Sequence, residues 1–450
     1  MTGDDNARKC LIQLGPERLA DMLIELAAWS DEADDMVKRA TADPSENIKR
    51  FKSRLAGLKR TRRFIDWRGA SDFARNLERM LADLEAGVDD PKTGVEMVTA
   101  FFEADQCIFE QCDDSSGSVG DVFRATACDL FVHYASRCAD KEWLVDKLMD
   151  LYDEDEYGVR DVVLDDAHRF LPEESLRDLA DRLWQRSQQE PQNTYQSRHW
   201  LLLLESIARQ TKDAALYEKA QRAAWPELST SAQVDIARVY LESGDPKTSL
   251  SWLERVPGES IRSSDRDSLL LVVYRELGDI NRAAEVAWHI FRDHRSKESL
   301  RNLLSIIGDS KRERVVEDEV SAILRSSEFS YSDANFLIAL DRIDNAEAYL
   351  LSHADEFDGH YYTVLLPLAE AMEKNGRWLA ASLIYRALLD SILARAVSKY
   401  YHHGIRYLKK LDSLAAGIQD WRNLQDHECY RAGLLQTHGR KTSFWAGYNQ

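Results

Sequence analysis

Proline and glycine are both scarce in this sequence, which contains 9 prolines and 20 glycines among 450 residues. Alternating runs of β-branched residues are scarce as well. Because proline and glycine interrupt helices, and β-branched alternation is typical of strands, these shortages favour an all-α chain. At this length the chain can form two or three compact units, or one array of stacked helical repeats.

Long hydrophobic runs are also missing. Apolar runs such as Trp200 to Leu204 fall far short of the roughly 18–20 residues that a membrane-spanning helix needs. The six cysteines include no CxxC pair, and the N-terminus lacks the basic-then-apolar pattern of a signal peptide. We therefore expect a soluble cytoplasmic protein with reduced thiols and no membrane association.

Positive charge is in the minority, since 59 Lys and Arg residues stand against 78 Asp and Glu residues and give a net charge of −19. This excess of acid disfavours a nucleic-acid binder whose whole surface is electropositive. It leaves room for a local basic patch.

Signatures of catalysis are absent. The sequence has no GxxxxGK[ST] phosphate loop, no GxSxG nucleophile elbow and no acid/base pair at a diagnostic spacing. The loop Asp113 to Asp121 resembles a calcium loop, but Ser118 and Arg124 occupy the positions that need Gly and Glu. We interpret it as a tight connection in which Ser118 or Asp121 caps a helix beginning near Val122. The sequence thus predicts a non-enzymatic protein with no catalytic residue, no cofactor and no metal ligand.

The clearest feature that is present is a repeat. A Tyr-x-x-x-Gly-Asp pattern at 240–245 recurs at 274–279, an offset of 34 residues that is typical of tetratricopeptide-type helical hairpins. Gly244 and Gly278 stand where a first helix must end in a left-handed residue, and the Asp that follows can cap the second helix. A degenerate third copy occupies 365–389, with Asn375-Gly376 as its turn.

These patterns predict an all-α fold: an irregular, tetratricopeptide-like solenoid of helical hairpins preceded by an N-terminal helical unit. We place an N-terminal helical domain with a basic segment at 1–140, the repeats at 141–400 and a C-terminal helical cap at 401–450.

A basic segment from Lys49 to Arg68 runs against the overall charge, with nine bases, the single acid Asp66, and interleaved aromatic residues that include Phe64 and Trp67. Bases and aromatics together could grip a phosphate backbone and stack on nucleobases. Alternatively, Phe51, Leu55, Leu58 and Phe64 form the buried stripe of a helix whose basic outer face pairs with acidic segments of the same chain.

The C-terminal segment differs from the repeats. It has a basic face on the helix around His403 and ends in Phe444 and Trp445 beside further bases. Four histidines and Cys429 lie within forty residues, but they lack zinc-ligand spacing. We expect the two terminal aromatics to fold back and anchor the C-terminus, the alternative being an exposed docking element.

Four segments carry a family resemblance: 64–68, 113–124, 403–408 and 438–445. Together they resemble a bacterial family of unknown function whose members are long helical proteins, some with an N-terminal SWIM-type zinc finger. The finger-bearing relatives contain CxC followed by CxH. This sequence has neither motif, so the zinc and the DNA contact that the finger implies do not extend to it.

We therefore predict a scaffold or adaptor that binds a protein partner on its helical surface; the alternative is a nucleic-acid-associated protein that uses Lys49 to Arg68. The candidate interaction residues, all polar or aromatic members of these segments, are Arg60, Arg62, Arg63, Trp67, Arg68, Asp113, Asp114, Asp121, Arg124, His403, Arg406, Lys409, Lys410, His438, Arg440 and Lys441.

Overall fold

Helices account for the regular secondary structure throughout the computed structural model, which describes residues 3–61, 63–153, 155 and 158–449, without side chains for residues 3–6. Within these ranges the one pairing of extended backbone is an isolated bridge between Ile65 and Cys112. The predicted all-α fold of helical hairpins is therefore confirmed.

The chain divides into two compact units, Met1–Arg255 and Val256–Gln450. The α-helices described in the first unit are α1 (Gly3–Gln13), α2 (Pro16–Ala27), α3 (Asp31–Thr41), α4 (Pro44–Leu58), α5 (Ala70–Gly87), α6 (Pro91–Phe102), α7 (Asp105–Glu110), α8 (Ser118–Asp121), α9 (Cys128–Arg137), α10 (Lys141–Asp153), α11 (Val162–Asp165), α12 (Glu173–Gln189), α13 (Tyr195–Gln210), α14 (Ala214–Ala224), α15 (Thr230–Glu242) and α16 (Pro246–Leu253). A π-helix, Val122–Ala127, joins α8 to α9.

The α-helices described in the second unit are α17 (Ser263–Glu276), α18 (Ile280–Asp293), α19 (Lys297–Ile307), α20 (Arg312–Arg325), α21 (Tyr331–Ala339), α22 (Ile343–Ser352), α23 (Tyr362–Lys374), α24 (Trp378–Arg395), α25 (Tyr401–Ala415), α26 (His427–His438) and α27 (Thr442–Tyr448).

This division differs from the three domains expected from the sequence. In the first unit one apolar cluster runs from Phe51 to Ala224, with no break near residue 140. In the second unit a cluster runs from Ala287 to Phe444, with no break near residue 400. A domain boundary requires a gap between cores, and the packing places none at either predicted position.

The two copies of the repeat end their first helices in the same way. Gly244 and Gly278 are left-handed, with φ of 87° and 75°. The next amide in each copy donates to the tyrosine carbonyl five residues earlier, Asp245 to Tyr240 and Asp279 to Tyr274, at 2.9 Å each. This is the Schellman arrangement. The Asp side chain then caps α16 or α18 by accepting from an amide of its first turn, as the sequence predicts.

The same left-handed turn also occurs at positions that are harder to recognise in the sequence. Gly376 closes the third predicted copy with φ of 70°. Two further hairpins, α13–α14 and α21–α22, place Lys212 and Asp341 in the left-handed position, with φ of 56° and 60°. Because neither residue is glycine, the turn pattern that marks the other copies is absent there. Within the predicted repeat region, the left-handed turn therefore also occurs at positions that no glycine marks.

A substitution at one of these turns tests the role of backbone conformation. Gly278→Val is expected to lower the free energy of unfolding by about 1–2 kcal/mol, because a residue with a Cβ is disfavoured at positive φ. A matched control is Gly433→Val within α26, since an added Cβ meets nothing within 4 Å at either glycine and only Gly278 has positive φ. Equal melting temperatures for the two variants would contradict the left-handed cap.

A buried ion pair lies inside the first unit, between the start of α7 and the segment before α11. Arg160 donates to both carboxylate oxygens of Asp105, from Nε at 2.9 Å and from Nη2 at 2.8 Å. The side chains are 5% and 1% exposed. Nη1 of Arg160 also donates to the Leu151 carbonyl at 2.8 Å, so this pair ties three segments of the unit together.

Candidate functional site

The predicted basic segment is part helix and part loop. Phe51 and Leu55 are buried on α4, as the second interpretation of the segment requires. Phe64 contradicts that interpretation, because it follows the end of α4 and is 63% exposed. Trp67 is 59% exposed, and the Arg68 guanidinium lies 5.1 Å from the centre of its ring. The loop therefore presents two aromatic rings to the solvent.

The charges of this region are only partly neutralised. Arg54 of α4 and Arg39 of α3 both bind the buried carboxylate of Asp83, at 3.0 Å each. Arg60 and Arg63 are exposed. Arg62 lies outside the described residues. The helical part of the segment is thus tied into the unit by Asp83, whereas the loop part remains basic at the surface.

The structure joins this loop to the Asp-rich loop. The Ile65 amide donates to the Gln111 carbonyl at 2.8 Å, and the Asp113 amide donates back to the Ile65 carbonyl at 2.9 Å. Two of the four family-like segments are therefore neighbours. No local sequence pattern predicts a pairing across more than forty residues.

The Asp-rich loop is organised by Asp114. Its carboxylate accepts from the amides of Val119 at 2.9 Å and Gly120 at 2.8 Å. Gly117, which lies between Asp114 and Val119 in the chain, is left-handed with φ of 74°. The predicted cap by Ser118 or Asp121 is wrong, because the helix begins at Ser118, earlier than Val122. A cap must precede the first turn it serves.

The remaining acids of this loop are also engaged locally. The Asp113 carboxylate accepts from the Ser115 amide at 3.1 Å, and the Asp121 carboxylate binds the Arg124 guanidinium at 3.1 Å. These carboxylates are bonded to their own loop and to the adjoining helical turn. Their geometry explains the shape of the loop.

The other two family-like segments meet in the second unit. Helix α27 packs on α25: Phe444 is fully buried, and its ring lies edge-to-face on Tyr401 at 5.8 Å. The Trp445 indole donates to the His438 carbonyl at 3.0 Å. The expectation that Phe444 and Trp445 fold back is confirmed. The four segments thus form two pairs, one in each unit.

The candidate bases near the C-terminus separate into different environments. On α25, Lys410 binds Glu373 of α23, while Lys409 is exposed. His403 and Arg406 line a cavity of about 250 Å³ between α23, α24 and α25. Arg440 is exposed and Lys441 is half-buried before α27. His403 and Arg406 are therefore the members of this predicted group that share a cavity.

A cluster of potential metal ligands lies in the first unit, and the sequence analysis missed it. Asp155, Asp161 and His199 each place one ligand atom within 4.8 Å of the others. His199 Nε2 lies 2.9 Å from Asp161 Oδ1. Burial and then the charge of Asp161 raise the pKa of Asp155. Two carboxylate oxygens and one imidazole nitrogen could hold a divalent cation such as Zn²⁺ or Mn²⁺. Only packing of α13 against the segment before α11 brings them together.

The C-terminal histidines form no such set among the described residues. His427 Nε2 instead lies 2.7 Å from Asp412 Oδ1, and the rings of His402 and His403 lie 3.9 Å apart.

Glu205 is a second group whose environment the sequence does not reveal. It is buried on α13, where burial raises its pKa to about 7. The Gln221 side-chain amide donates to it at 2.8 Å. An acid buried in this way titrates near neutrality, as catalytic acids often do, but Glu205 does not line the cavity between α23, α24 and α25.

The raised pKa of Glu205 makes stability depend on pH. A carboxyl group whose folded pKa exceeds its unfolded value stabilises the protein at low pH, and that contribution is lost as pH rises through the folded pKa, here about 7. Glu205→Gln is expected to raise the free energy of unfolding at pH 8 by about 2 kcal/mol and to change it little at pH 5. Urea denaturation at both pH values measures this, and equal effects at the two pH values would contradict it.

In the described residues, no helix is long and apolar enough to cross a membrane. No curated protein matches the chain. Among solved structures, the chain is similar to a protein described as a circular tandem repeat protein with novel repeat topology and enhanced subunit contact surfaces. That match has 13% identity and a TM-score of 0.12, and covers 97% of this chain and 86% of the other. A family model described as a family of unknown function, DUF6880, matches residues 5–447. The chain belongs to the DUF6880 family.

Proposed function

We propose that this chain is a non-enzymatic scaffold or adaptor of the cytoplasm, and that it binds a protein partner through the surface of its helices. The observation that carries the proposal is a concentration of exposed apolar side chains on α1–α3 and the turns between them. Its members are large hydrophobic side chains that are each at least 40% exposed, namely Leu11, Ile12, Leu14, Met22, Leu23, Ile24, Leu26, Trp29 and Met36. We call it the N-terminal apolar surface.

Helix α2 shows most clearly that this surface is unusual. It is amphipathic, yet none of its residues is buried. Ile24 is 63% exposed, and Trp29, just after the helix, is 85% exposed. Exposed apolar residues that cluster in this way mark interaction surfaces on soluble proteins, whereas single ones are ordinary. The stripe that an amphipathic helix normally packs on its own core is available here to another molecule.

Charge indicates the kind of partner. Residues 16–35, which contain α2 and the start of α3, carry seven acids, among them Glu17, Asp21 and Glu25, against the single base Arg18. In a symmetric contact between two copies of this chain the same patches face each other, so acid would meet acid. A helical segment with apolar residues flanked by Lys or Arg fits better, and we propose such a segment as the occupant.

Charged residues placed in the apolar surface test this proposal. The variant Met22→Glu/Leu26→Glu changes two exposed positions and should fold normally. Partners are first purified with the chain from the host after nuclease treatment, then identified and prepared pure. Calorimetric titration with the pure partner is expected to show a Kd at least about tenfold weaker for the variant.

The matched control is Leu324→Glu/Leu435→Glu, two exposed leucines of the second unit, which should leave that Kd unchanged. Light scattering should show that the wild-type chain is a monomer. A wild-type dimer that the first variant dissociates would assign the surface to a second copy, and an unchanged Kd for the first variant would refute the proposed surface.

A second candidate function is nucleic-acid binding through Lys49 to Arg68. The observation that favours it is the loop in which Phe64 and Trp67 are exposed beside Arg60, Arg63 and Arg68, since exposed rings and bases suit single strands. The acids of the adjoining loop, which the Ile65–Cys112 bridge holds beside it, argue against a polyanionic partner.

Fluorescence anisotropy with labelled single-stranded RNA and DNA decides between the two. We expect no sub-micromolar binding at about 150 mM salt. If tight binding is observed, Glu substitutions at Arg60, Arg62 and Arg63 should abolish it. Equal charge reversal at the exposed residues Lys297, Arg301 and Arg314 should not.

A further inference from the structure

The cavity between α23, α24 and α25 is apolar at its base and basic at its mouth. Leu388 and Ile392 of α24 and Tyr407 of α25 are buried and form the base. The exposed side chains of Arg395 and Arg406 and the half-buried His403 line the opening. A ligand that matched this cavity would carry an apolar part inward and a polar part outward.

Charge at the mouth is of one sign. None of the ten described residues that line the cavity is acidic, although the chain carries 78 acids against 59 bases. Within the described part of the chain, no acidic side chain lies within ion-pair distance of Arg395 or Arg406. Nε of Arg395 donates to the Ser391 carbonyl at 3.3 Å, and the Arg406 guanidinium lies 5.3 Å from the Tyr407 ring centre.

The positive charge around His403 affects its pKa. Burial, then the neighbouring His402 and Arg406, lower its pKa below the ordinary value. An anion at the mouth would offset the repulsion between these groups, and a guanidinium can bind a carboxylate with two parallel hydrogen bonds. The guanidinium groups at the mouth are therefore suited to form an ion pair with an anionic ligand.

Size limits the apolar part of the ligand. A cavity of about 150 Å³ lined by apolar side chains accommodates benzene, so the 250 Å³ available here accommodates one ring or a short alkyl chain together with a small polar group. Backbone of the segment before α23 closes one wall. A Cβ added at Gly359 would lie 2.1 Å from the Ala387 carbonyl oxygen, so this segment packs directly on the backbone of α24.

We propose that this cavity binds a small organic acid, in which one apolar or aromatic group lies on Leu388 and Ile392 and a carboxylate lies at Arg395, His403 and Arg406. The site is independent of the N-terminal apolar surface. A bare inorganic anion would make no use of the apolar base, and an uncharged apolar molecule would make no use of the bases at the mouth.

Titration calorimetry and ligand-observed NMR with the full chain test the proposal, with 3-phenylpropionate as the probe. We expect a Kd below about 1 mM. Acetate, which lacks the ring, and 3-phenylpropionamide, which lacks the charge, should each bind at least about tenfold more weakly. Equal binding of the acid and its amide, or of inorganic phosphate and the acid, would overturn the proposal, as would no binding of the acid.

Matched variants localise the binding. Arg406→Gln is expected to weaken the binding of 3-phenylpropionate at least about fivefold, whereas Lys409→Gln, on the same helix and with the same change of charge, should have no effect because Lys409 does not line the cavity. Both are surface substitutions that should leave the melting temperature unchanged. Equal loss in both variants would show a non-specific charge effect and refute the site.

A peptide C-terminus carries the same chemistry as the probe. A tetrapeptide ending in phenylalanine, with a free and with an amidated C-terminus, forms the second arm. We expect 3-phenylpropionate to bind at least as tightly as the peptide with the free C-terminus, because the cavity holds one ring and its carboxylate. If the peptide binds and 3-phenylpropionate does not, the proposal is overturned in favour of a peptide-docking site.

Discussion

Asp105→Asn is expected to lower the free energy of unfolding by about 3–5 kcal/mol. The substitution keeps the shape of the side chain but leaves the guanidinium of Arg160 buried without its counter-charge, and an unpaired buried charge is among the costliest defects in a folded protein. Burial alone would lower the pKa of Arg160, whereas the hydrogen bonds and charge of Asp105 raise it above its ordinary value. A guanidinium stays protonated in proteins even without a counter-ion, so Arg160 remains charged in the variant, and calorimetric melting of the purified chain measures the cost.

Two further variants separate the charge effect from a general disturbance. Asp105→Asn combined with Arg160→Met removes both charges and should recover much of the lost stability. Glu173→Gln breaks the exposed pair of Glu173 with Arg177, whose side chains are 68% and 74% exposed, and should change the melting temperature little. If the double variant were less stable than Asp105→Asn alone, the unpaired charge would not be the cause.

Phe444→Ala should also cost about 3–5 kcal/mol of unfolding free energy, because a large ring leaves a cavity in a packed core. The ring is fully buried, and an atom added at Gly404 of α25 would lie 3.2 Å from its edge. Tyr448 adds a hydrogen bond of 2.7 Å to Asp412. The C-terminal helix is therefore held by packing at its start and by a polar contact near its end.

Leu435→Ala is the matched control for Phe444→Ala, since Leu435 is 50% exposed on α26 and its truncation should leave stability nearly unchanged. Deletion of 443–450 should destabilise at least as much as Phe444→Ala. Unchanged melting after the deletion, accompanied by loss of a bound partner, would contradict the anchor and identify the tail as a docking element.

The repeat region shows which local features a sequence can reveal. Gly244 and Gly278 were predictable as left-handed turns because glycine tolerates positive φ at little steric cost and the aspartate that follows caps the next helix. Lys212 and Asp341 occupy the same conformation and were not predictable. Their local strain is offset by packing of the two helices they join, and packing leaves no mark at the turn itself.

The surface groups likewise include some features that the sequence reveals and others that only the tertiary structure shows. The basic composition of Lys49 to Arg68 was plain from the sequence. The interpretation of this segment as a helix with a buried stripe placed Phe64 wrongly, because it extended helical periodicity past the residue where α4 ends. The cavity that His403 and Arg406 line, and the approach of His199 to Asp155 and Asp161, depend on the packing of separate elements against one another. Of these features, the sequence alone shows only local parts, such as the basic face of α25.

By itself the sequence determined the all-α class, the hairpin turns marked by glycine, the excess of negative charge and the membership in a family of unknown function. These properties follow from short-range rules, since helix propensity, caps and turns each involve residues within about one or two helical turns. The tertiary structure alone decided where the two cores divide, which charges are buried in pairs and which apolar side chains remain exposed. Those outcomes depend on contacts between residues far apart in the chain, and such contacts are set by packing of the assembled helices.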